Sequence, residues 1–503
     1  MEGSNPFFIN KKYNMILDNL LTFILIFPIF GILLLLITSS RNEKTLKLIA
    51  LNISCLSFLG SLLVWSFYDG SLASFQLVVK LFWLPNLNLN FVLGIDGISM
   101  FFLLLTTMLI PLCLLVSWNS ITYNLKEFLI SFLILDFFLI GVFCVLDLLL
   151  FYIFFESVLI PMFLIIGIWG SRDRKILASY YFFLYTLLGS VIMLISILYI
   201  YYQIGTTDYE TLLTFSFSEL EQRFLWFSFF LAFASKVPMI PTHLWLPEAH
   251  VEAPTAGSVI LAGILLKLGT YGFVRFSLPI FPQASFFFTP LVYTIATIGI
   301  VYTSFTAIRQ TDFKRIIAYT SIAHMNLVIL GIFSFNIIGI EGAILQSLSH
   351  GFVASALFLI IGVVYDRYRT RLVQYYGGLA SVMPLYIIIF LFFTMANISF
   401  PGTSSFIGEL LILVGSFKVN TTITFIGATG IVIGSAYSLW LYNRIAYGNL
   451  KTQYISNFLD ISFKEFLVFL PLILGTLVVG IYPNIFVSQI HISCLTLVEL
   501  IYF

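Results

Sequence analysis

From Leu20 onward, apolar runs recur along this chain, separated by short polar turns. Each is about 20 residues long, enough to cross the hydrocarbon of a bilayer as one helix. No other feature constrains the fold as much. Hydrophobic residues make up 60% of the chain and charged residues only 9%, against about 25% charged in a soluble domain. No water-soluble interior hides that much apolar surface. A soluble enzyme, a nucleic-acid-binding module and a disordered scaffold are excluded. The net charge of +1 favours neither acidic nor basic partners.

The runs predict an all-α polytopic membrane protein of about fourteen spans, from 20–38 to 466–484. Only Asp147 separates the fourth run from the fifth. The seventh, 224–247, is interrupted by Pro238, Pro241 and Pro247, and the twelfth, 383–416, by Pro401-Gly402. Broken backbone at membrane depth is tolerated only where protein or a wet cavity satisfies the freed groups. A pair of interrupted helices points to two related repeats. The breaks are five helices apart. Five is odd, so the copies run upside down to one another. The predicted segments are an N-terminal extension (1–19), helices one to three (20–126), a first five-helix repeat (127–280), its inverted copy (281–446) and the last helix with its tail (447–503).

Basic residues test this map. Of the 24 Lys and Arg, 16 fall in odd-numbered loops and 6 in even-numbered loops or the N-terminus. Basic loops stay on the side from which a chain is inserted. Odd loops are therefore expected on the cytoplasmic or matrix side, and both termini opposite. The Lys11-Lys12 pair is the exception. Cys55, Cys113, Cys144 and Cys494 are scattered and show no metal or redox spacing.

The chemistry lies in ionisable residues amid the apolar runs: Asp136, Glu156, Lys236, Lys267, His324, His350 and Glu409. Each costs about 2.5–3.5 kcal/mol at a helix centre, so such groups face a bundle interior or water and mark ion or proton paths. Their spread over seven different helices of the central bundle favours a proton wire over isolated structural pairs. A buried lysine holds its proton less firmly, and an approaching carboxylate tightens the hold. A Glu–Lys pair of adjustable separation is therefore a switch, and histidines titrate near neutrality unaided. His243, seven residues after Lys236, is a further candidate. Glu248, His250 and Glu252 alternate as metal ligands would, but a short interfacial loop with solvated charge explains them more simply. Asp96 reads as a turn residue, Arg172–Lys175 as a topology signal and His491 as an uninformative terminal residue. No nucleotide-binding glycine motif and no cysteine cluster for an iron–sulfur centre is present.

Four blocks carry a specific resemblance: SKVPMIPTHLWLPEAHVEAPTAGSVILAGILLKLGTYG (235–272), FFESVLIPMFLIIGIWGSRDRK (154–175), SHGFVASALFLIIGVVYDR (349–367) and FPGTSSFIGE (400–409). The chain resembles the antiporter-like membrane subunits of respiratory NADH:ubiquinone oxidoreductase (complex I). That resemblance implies fourteen spans, inverted five-helix repeats and broken seventh and twelfth helices. It carries proton-transfer roles onto Glu156, Lys236, Lys267, His324, His350 and Glu409. One branch of the family has a glutamate rather than a lysine at the twelfth-helix break, and Glu409 fits that branch. It further implies a proton-translocating subunit of an NADH:ubiquinone reductase in the mitochondrial inner membrane, with odd loops in the matrix and both termini in the intermembrane space. No cofactor is expected on this chain; NAD, FMN, iron–sulfur clusters and ubiquinone belong elsewhere in the complex. Expected partners are other membrane-arm subunits, including neighbouring antiporter-like ones, and lipid, but no nucleic acid. The alternatives are a subunit of a cation/proton antiporter of the same superfamily, or a scaffold whose buried charges only lock helices together.

Overall fold

The computed structural model describes residues 19–454 and 458–502. Lys11, Lys12 and nearly all of the N-terminal extension lie outside the described residues. The helices are α1 (Leu20–Ile37), α2 (Glu43–Phe67), α3 (Gly97–Ser120), α4 (Leu125–Cys144), α5 (Leu148–Trp169) and α6 (Lys175–Ile204). Then follow α7a (Glu219–Lys236), α7b (Trp245–Glu252), α8 (Thr255–Ile280), α9 (Pro282–Arg309), α10 (Phe313–Ile332) and α11 (Ile337–Tyr368). The last are α12a (Pro384–Asn397), α12b (Ser404–Val419), α13 (Thr421–Ala446), α14 (Phe463–Ile481) and α15 (Asn484–Tyr502).

Thirteen of the described helices are long and apolar enough to cross a bilayer. One of them, α15, lies along a single face instead. Its Phe486 ring sits 6.0 Å from Trp65 and 5.0 Å from Phe101. Its Ser493 hydroxyl accepts from the Gly97 N–H at 3.1 Å, and Tyr502 packs 5.6 Å from Phe286. Trp65, Gly97, Phe101 and Phe286 all stand at the even-loop ends of their own helices. A helix of this length extends about 28 Å, so α15 is laid across that face. Twelve continuous spans remain, and with the broken α7 and α12 they make the fourteen expected. The segment read as a tail is thus a surface helix. A hairpin of β1 (Gln76–Leu84) and β2 (Leu89–Ile95), paired Gln76↔Ile95 to Leu84↔Leu89, adds a small strand element to the same face.

The bundle is inside out relative to a soluble protein. Leu188, Phe425, Val432 and Ile195 point outward, 65–76% exposed, where lipid is their solvent. α8 is buried over its whole length and α11 nearly so, whereas α1, α6, α13 and α14 are mostly peripheral. The functional side chains hang on this central post.

Both breaks satisfy their own backbone. At the end of α7a, the Ser235 carbonyl accepts from Trp245 Nε1 at 2.9 Å, and the Ala234 carbonyl accepts from the Met239 N–H at 2.9 Å. At the α12 break, Gly402 adopts φ +93°, the left-handed region that glycine enters without strain. The Thr403 hydroxyl donates to the Phe400 carbonyl at 2.7 Å, and the Ser405 hydroxyl donates to that of Ala396. These are the substitutes that broken helices need in lipid. At the narrow seam after α4, Asp147 caps α5 by accepting from the Leu150 N–H at 3.0 Å and from the Thr207 hydroxyl at 2.7 Å.

Asp96 is more than a turn residue. It caps α3 and pairs with Arg275 at 2.5 Å, both nearly fully buried. Arg275 itself belongs to α8, not to a loop. Removing one partner of a buried pair strands the other charge, at about 3–5 kcal/mol. Asp96→Asn is therefore expected to lower the thermal stability of the detergent-extracted protein markedly. Melting followed by tryptophan fluorescence checks this; an unchanged midpoint would mean Arg275 finds other solvation.

Candidate functional site

The site is built around α8. Two widened turns, Leu261–Leu265 and Phe273–Ser277, flank Lys267. Such turns loosen the helical hydrogen-bond ladder and are frequent at functional positions. The carbonyl of Ala262, in the first of them, accepts from Lys267 Nζ at 2.5 Å. The same nitrogen reaches His350 Nδ1 on α11 at 2.8 Å. Lys267 is fully buried and His350 only 4% exposed.

Beyond His350 the polar line continues. The ring of His324, on α10, is centred 6.0 Å from that of His350. His324 Nδ1 lies 2.9 Å from Glu409 Oε1 on α12b, five residues into the helix that follows the break. Gln346 Nε2, one turn before His350 on α11, donates to the same carboxylate oxygen at 3.0 Å. A cavity of about 30 Å³ adjoins His324 and Glu409, lined also by Asn397 and Tyr437. A cavity of this size holds a water. Asn397 and Tyr437 also line a smaller one with Thr320, Thr394 and Ser438, nearer the odd-loop face.

The other arm is less direct. Lys236 ends α7a, where helix carbonyls point at a cation favourably. Its Nζ sits 4.6 Å above the centre of the Phe155 ring and finds no hydrogen-bond partner among the described residues. Glu156 has the Ser190 hydroxyl beside it, just short of a well-formed hydrogen bond. Glu156 is the charged group whose field acts on Lys236, but the two make no ion pair among the described residues. α8 packs closely here: a Cβ placed on Gly269 would meet the Lys236 Cβ at 3.2 Å.

The remaining candidates stand apart. Asp136 is buried on α4, where the Ser57 hydroxyl donates to Oδ2 at 3.4 Å. His243 lies in the α7 break beside Tyr302, ring centres 5.9 Å apart. The reading of Glu248, His250 and Glu252 as a solvated loop is overturned: they form α7b, and His250 and Glu252 are buried. Nor do they converge as ligands. Glu248 pairs with Arg315 at 2.6 Å and Glu252 faces Arg371 at 3.7 Å. His250 stacks 4.5 Å from Phe358.

Three residues to which sequence reading assigns no proton-transfer role, His250, Lys314 and Gln346, join the site. His250 lies in the fields of Lys314 and Lys267, and its own field reaches His350. Lys314, 1% exposed in the first turn of α10, donates to the Ala253 carbonyl at 2.7 Å and to Ser258 Oγ at 3.2 Å. Together His250 and Lys314 extend the line from Lys267 toward the odd-loop face. The signal for Lys314 was weak, because a lysine at a span end reads as a topology mark. Gln346 was detectable, since it shares a helix face with His350 four residues on.

Comparison with known proteins agrees with this architecture. The profile of the NADH:quinone oxidoreductase/Mrp antiporter transmembrane family matches residues 145–434. NADH-ubiquinone oxidoreductase chain 4 of Chondrus crispus is 60% identical over 474 residues, covering 94% of this chain and 96% of that one. Its counterpart in Arabidopsis thaliana is 58% identical over 472 residues, covering 94% and 95%. A chain of the respiratory complex I from Thermus thermophilus with bound NADH superposes with a TM-score of 0.87 at 28% identity, covering 96% of this chain and 99% of that one. A chain of an archaeal membrane-bound sulfane sulfur reductase shares the fold alone, with a TM-score of 0.84 at 20% identity, covering 94% and 77%. This chain belongs to the NADH:quinone oxidoreductase/Mrp antiporter family of membrane subunits.

Proposed function

We propose that this chain is a proton-translocating membrane subunit of mitochondrial NADH:ubiquinone oxidoreductase, and that Glu156, Lys236, Lys267, His350, His324 and Glu409 carry the protons. The observation that supports this best is the line Lys267–His350–His324–Glu409, four titratable side chains from four helices set nearly end to end inside the bundle. A structural lock would need pairs, not a sequence of sites. The Lys236 ammonium, without a hydrogen-bond partner among the described residues, fits a hydrated route, since buried polar groups are ordinarily satisfied by protein or water.

In this reading Glu156 sets how firmly Lys236 holds its proton. Withdrawal of the carboxylate frees the proton toward Lys267, and His350 and His324 pass it to Glu409. Lys314 and His250 form the uptake limb from the odd-loop face, which we assign to the matrix on its excess of Lys and Arg. Work against the membrane is about 2.3 kcal/mol per charge per 100 mV. One pKa unit is about 1.4 kcal/mol, so changing the Glu156–Lys236 field by about two units moves a proton against that potential. The redox energy comes from elsewhere in the complex, where NAD, FMN, iron–sulfur clusters and ubiquinone reside; this chain's residues only hold and hand on protons. The antiporter alternative is not favoured, because relatives matching almost end to end are named as NADH-ubiquinone oxidoreductase chains.

Glu409→Gln tests the line at its far end. The amide keeps the size and the bond to Gln346 but cannot take up a proton. The purified complex, reconstituted in vesicles, is expected to oxidise NADH while moving fewer protons per NADH, as read with a pH-sensitive dye. An unchanged ratio would remove Glu409 from the path.

A further inference from the structure

The even-loop face holds a buried acid that the line above does not use. Glu341, 7% exposed just beyond the first turn of α11, bonds through Oε1 to His491 Nδ1 of α15 at 2.6 Å. The His491 side chain is 49% exposed and that of Glu341 only 9%, so the pair joins the interior to the surface. His350 stands nine residues further along the same helix, about 13 Å away along its axis. Between them lies a cavity of about 10 Å³, lined by Thr270 and Tyr271 of α8, Ser347 and Ile344 of α11 and Phe102 of α3. Thr270 is one turn from Lys267 and Ser347 one turn from His350. The cavity is about the size of one water, and three of its lining residues carry hydroxyls.

We propose that Glu341 and His491 are the release end of the proton line, with α15 as the cover that carries the last group to solvent. The proposal rests on the reading of Lys236 and Lys267 given above. A proton held at Glu409 returns through His324 to the Lys267–His350 pair, crosses the Thr270–Ser347 cavity and binds the Glu341 carboxylate. The carboxylic acid then gives it to His491 Nδ1, and the imidazolium releases the proton on Nε2 to water. The exposed ring then turns to solvent, where water takes the Nδ1 proton and returns one to Nε2, which restores the starting tautomer with no net proton moved. No other bond forms or breaks.

The surroundings suit this role. Asp96 and Arg275 are the charged groups on the neighbouring wall, and Cys494 on α15 lies in the fields of Glu341, Asp96 and Arg275. Asp96 and Arg275 neutralise each other at 2.5 Å, and arginine does not give up its proton. Glu341 is therefore the acid left to relay. α15 is already seated by Phe486 and by the Ser493–Gly97 hydrogen bond, so the pair is not needed to dock it.

The test uses the whole complex in vesicles, with protons moved per NADH as the measurement. Glu341→Gln is expected to lose the translocation that Lys236→Ala loses. His491→Phe keeps the ring's bulk on the exposed side; it is expected to show the same loss, and imidazole added on the even-loop side should restore it. A merely structural pair would not respond to imidazole. If both variants pump at the wild-type ratio while Lys236→Ala does not, release lies elsewhere and the line itself stands. If Lys236→Ala also pumps normally, the reading of the central site falls with it. Should Glu341→Gln fail to assemble, His491→Phe with and without imidazole decides: loss with rescue supports the proposal, and normal pumping or loss without rescue overturns it.

Discussion

Replacing Lys236 with alanine is expected to abolish proton translocation through this subunit while the complex still assembles. The structure gives reasons for both halves. Lys236 Nζ has no hydrogen-bond partner among the described residues, so its removal orphans no donor or acceptor. The loss to stability is the Phe155 contact, a cation–π interaction of about 0.5–2 kcal/mol, and the packing of the buried lysine stem. Translocation, by contrast, loses the group that lies in the field of Glu156. Without it, that carboxylate has no lysine to switch. Lys236→Arg sharpens the test. It keeps the charge, but a guanidinium is effectively never deprotonated in a protein. It should assemble as well as the native chain and pump as poorly as the alanine variant. Glu156→Gln should resemble Lys236→Ala, and Glu156→Asp should be milder. The measurements are the amount of intact complex on a native gel and the acidification of vesicles by the purified complex. Full pumping by Lys236→Arg would mean that charge, not proton exchange, is what position 236 supplies.

How much of this was legible beforehand depends on which physical signal each part leaves. Spans are legible because lipid demands long apolar runs, and nothing else in a chain looks like FILIFPIFGILLLLI. The two breaks are legible because Pro238 and Pro241, and Pro401 with Gly402, cannot continue a helix. The buried charges stand out for the same reason: Lys267 within ILLKLG is costly unless something inside the protein receives it. Pairings across helices leave no such mark. Nothing in the sequence says that Lys267 meets His350, or that His324 meets Glu409 with Gln346 joining them. Those contacts depend on the rotation of each helix, and that is set by packing.

The errors have physical causes too. α15 was missed although it is as apolar as α10 and α13, because Asn484, Gln489, His491 and Glu499 interrupt its apolar run, and a helix lying at an interface has no need to be uniformly apolar. The hairpin was hidden among apolar runs, although Pro85 and Asn88 bound its turn between segments rich in Val, Phe and Trp. His250 and Glu252 were read as solvated because LPEAHVEAP looks polar. The fold instead buries them against Phe358 and Arg371. The charge that makes Glu252 tolerable there is more than a hundred residues away in sequence.

Lys267 supplies the decisive test of whether the groups form one line. Lys267→Met keeps the length and volume of the side chain but removes the titratable nitrogen. The Ala262 carbonyl and His350 Nδ1 each lose a partner, at about 1–3 kcal/mol per unsatisfied group. Some loss of stability is therefore expected, and the yield of assembled complex measures it. Translocation should fall as far as in Lys236→Ala. The double variant Lys236→Ala/Lys267→Met then separates two arrangements. If protons pass Lys236 and Lys267 in series, the first block already stops the flow, and the double variant pumps no worse than either single one. If the lysines serve separate routes, each single variant keeps part of the flow and only the double variant loses all of it. Groups acting as a unit show the first, non-additive pattern. The close packing of α8 at Gly269 against Lys236, together with the 2.8 Å contact from Lys267 to His350, favours the series arrangement. Partial pumping by both single variants and none by the double would divide the line into two.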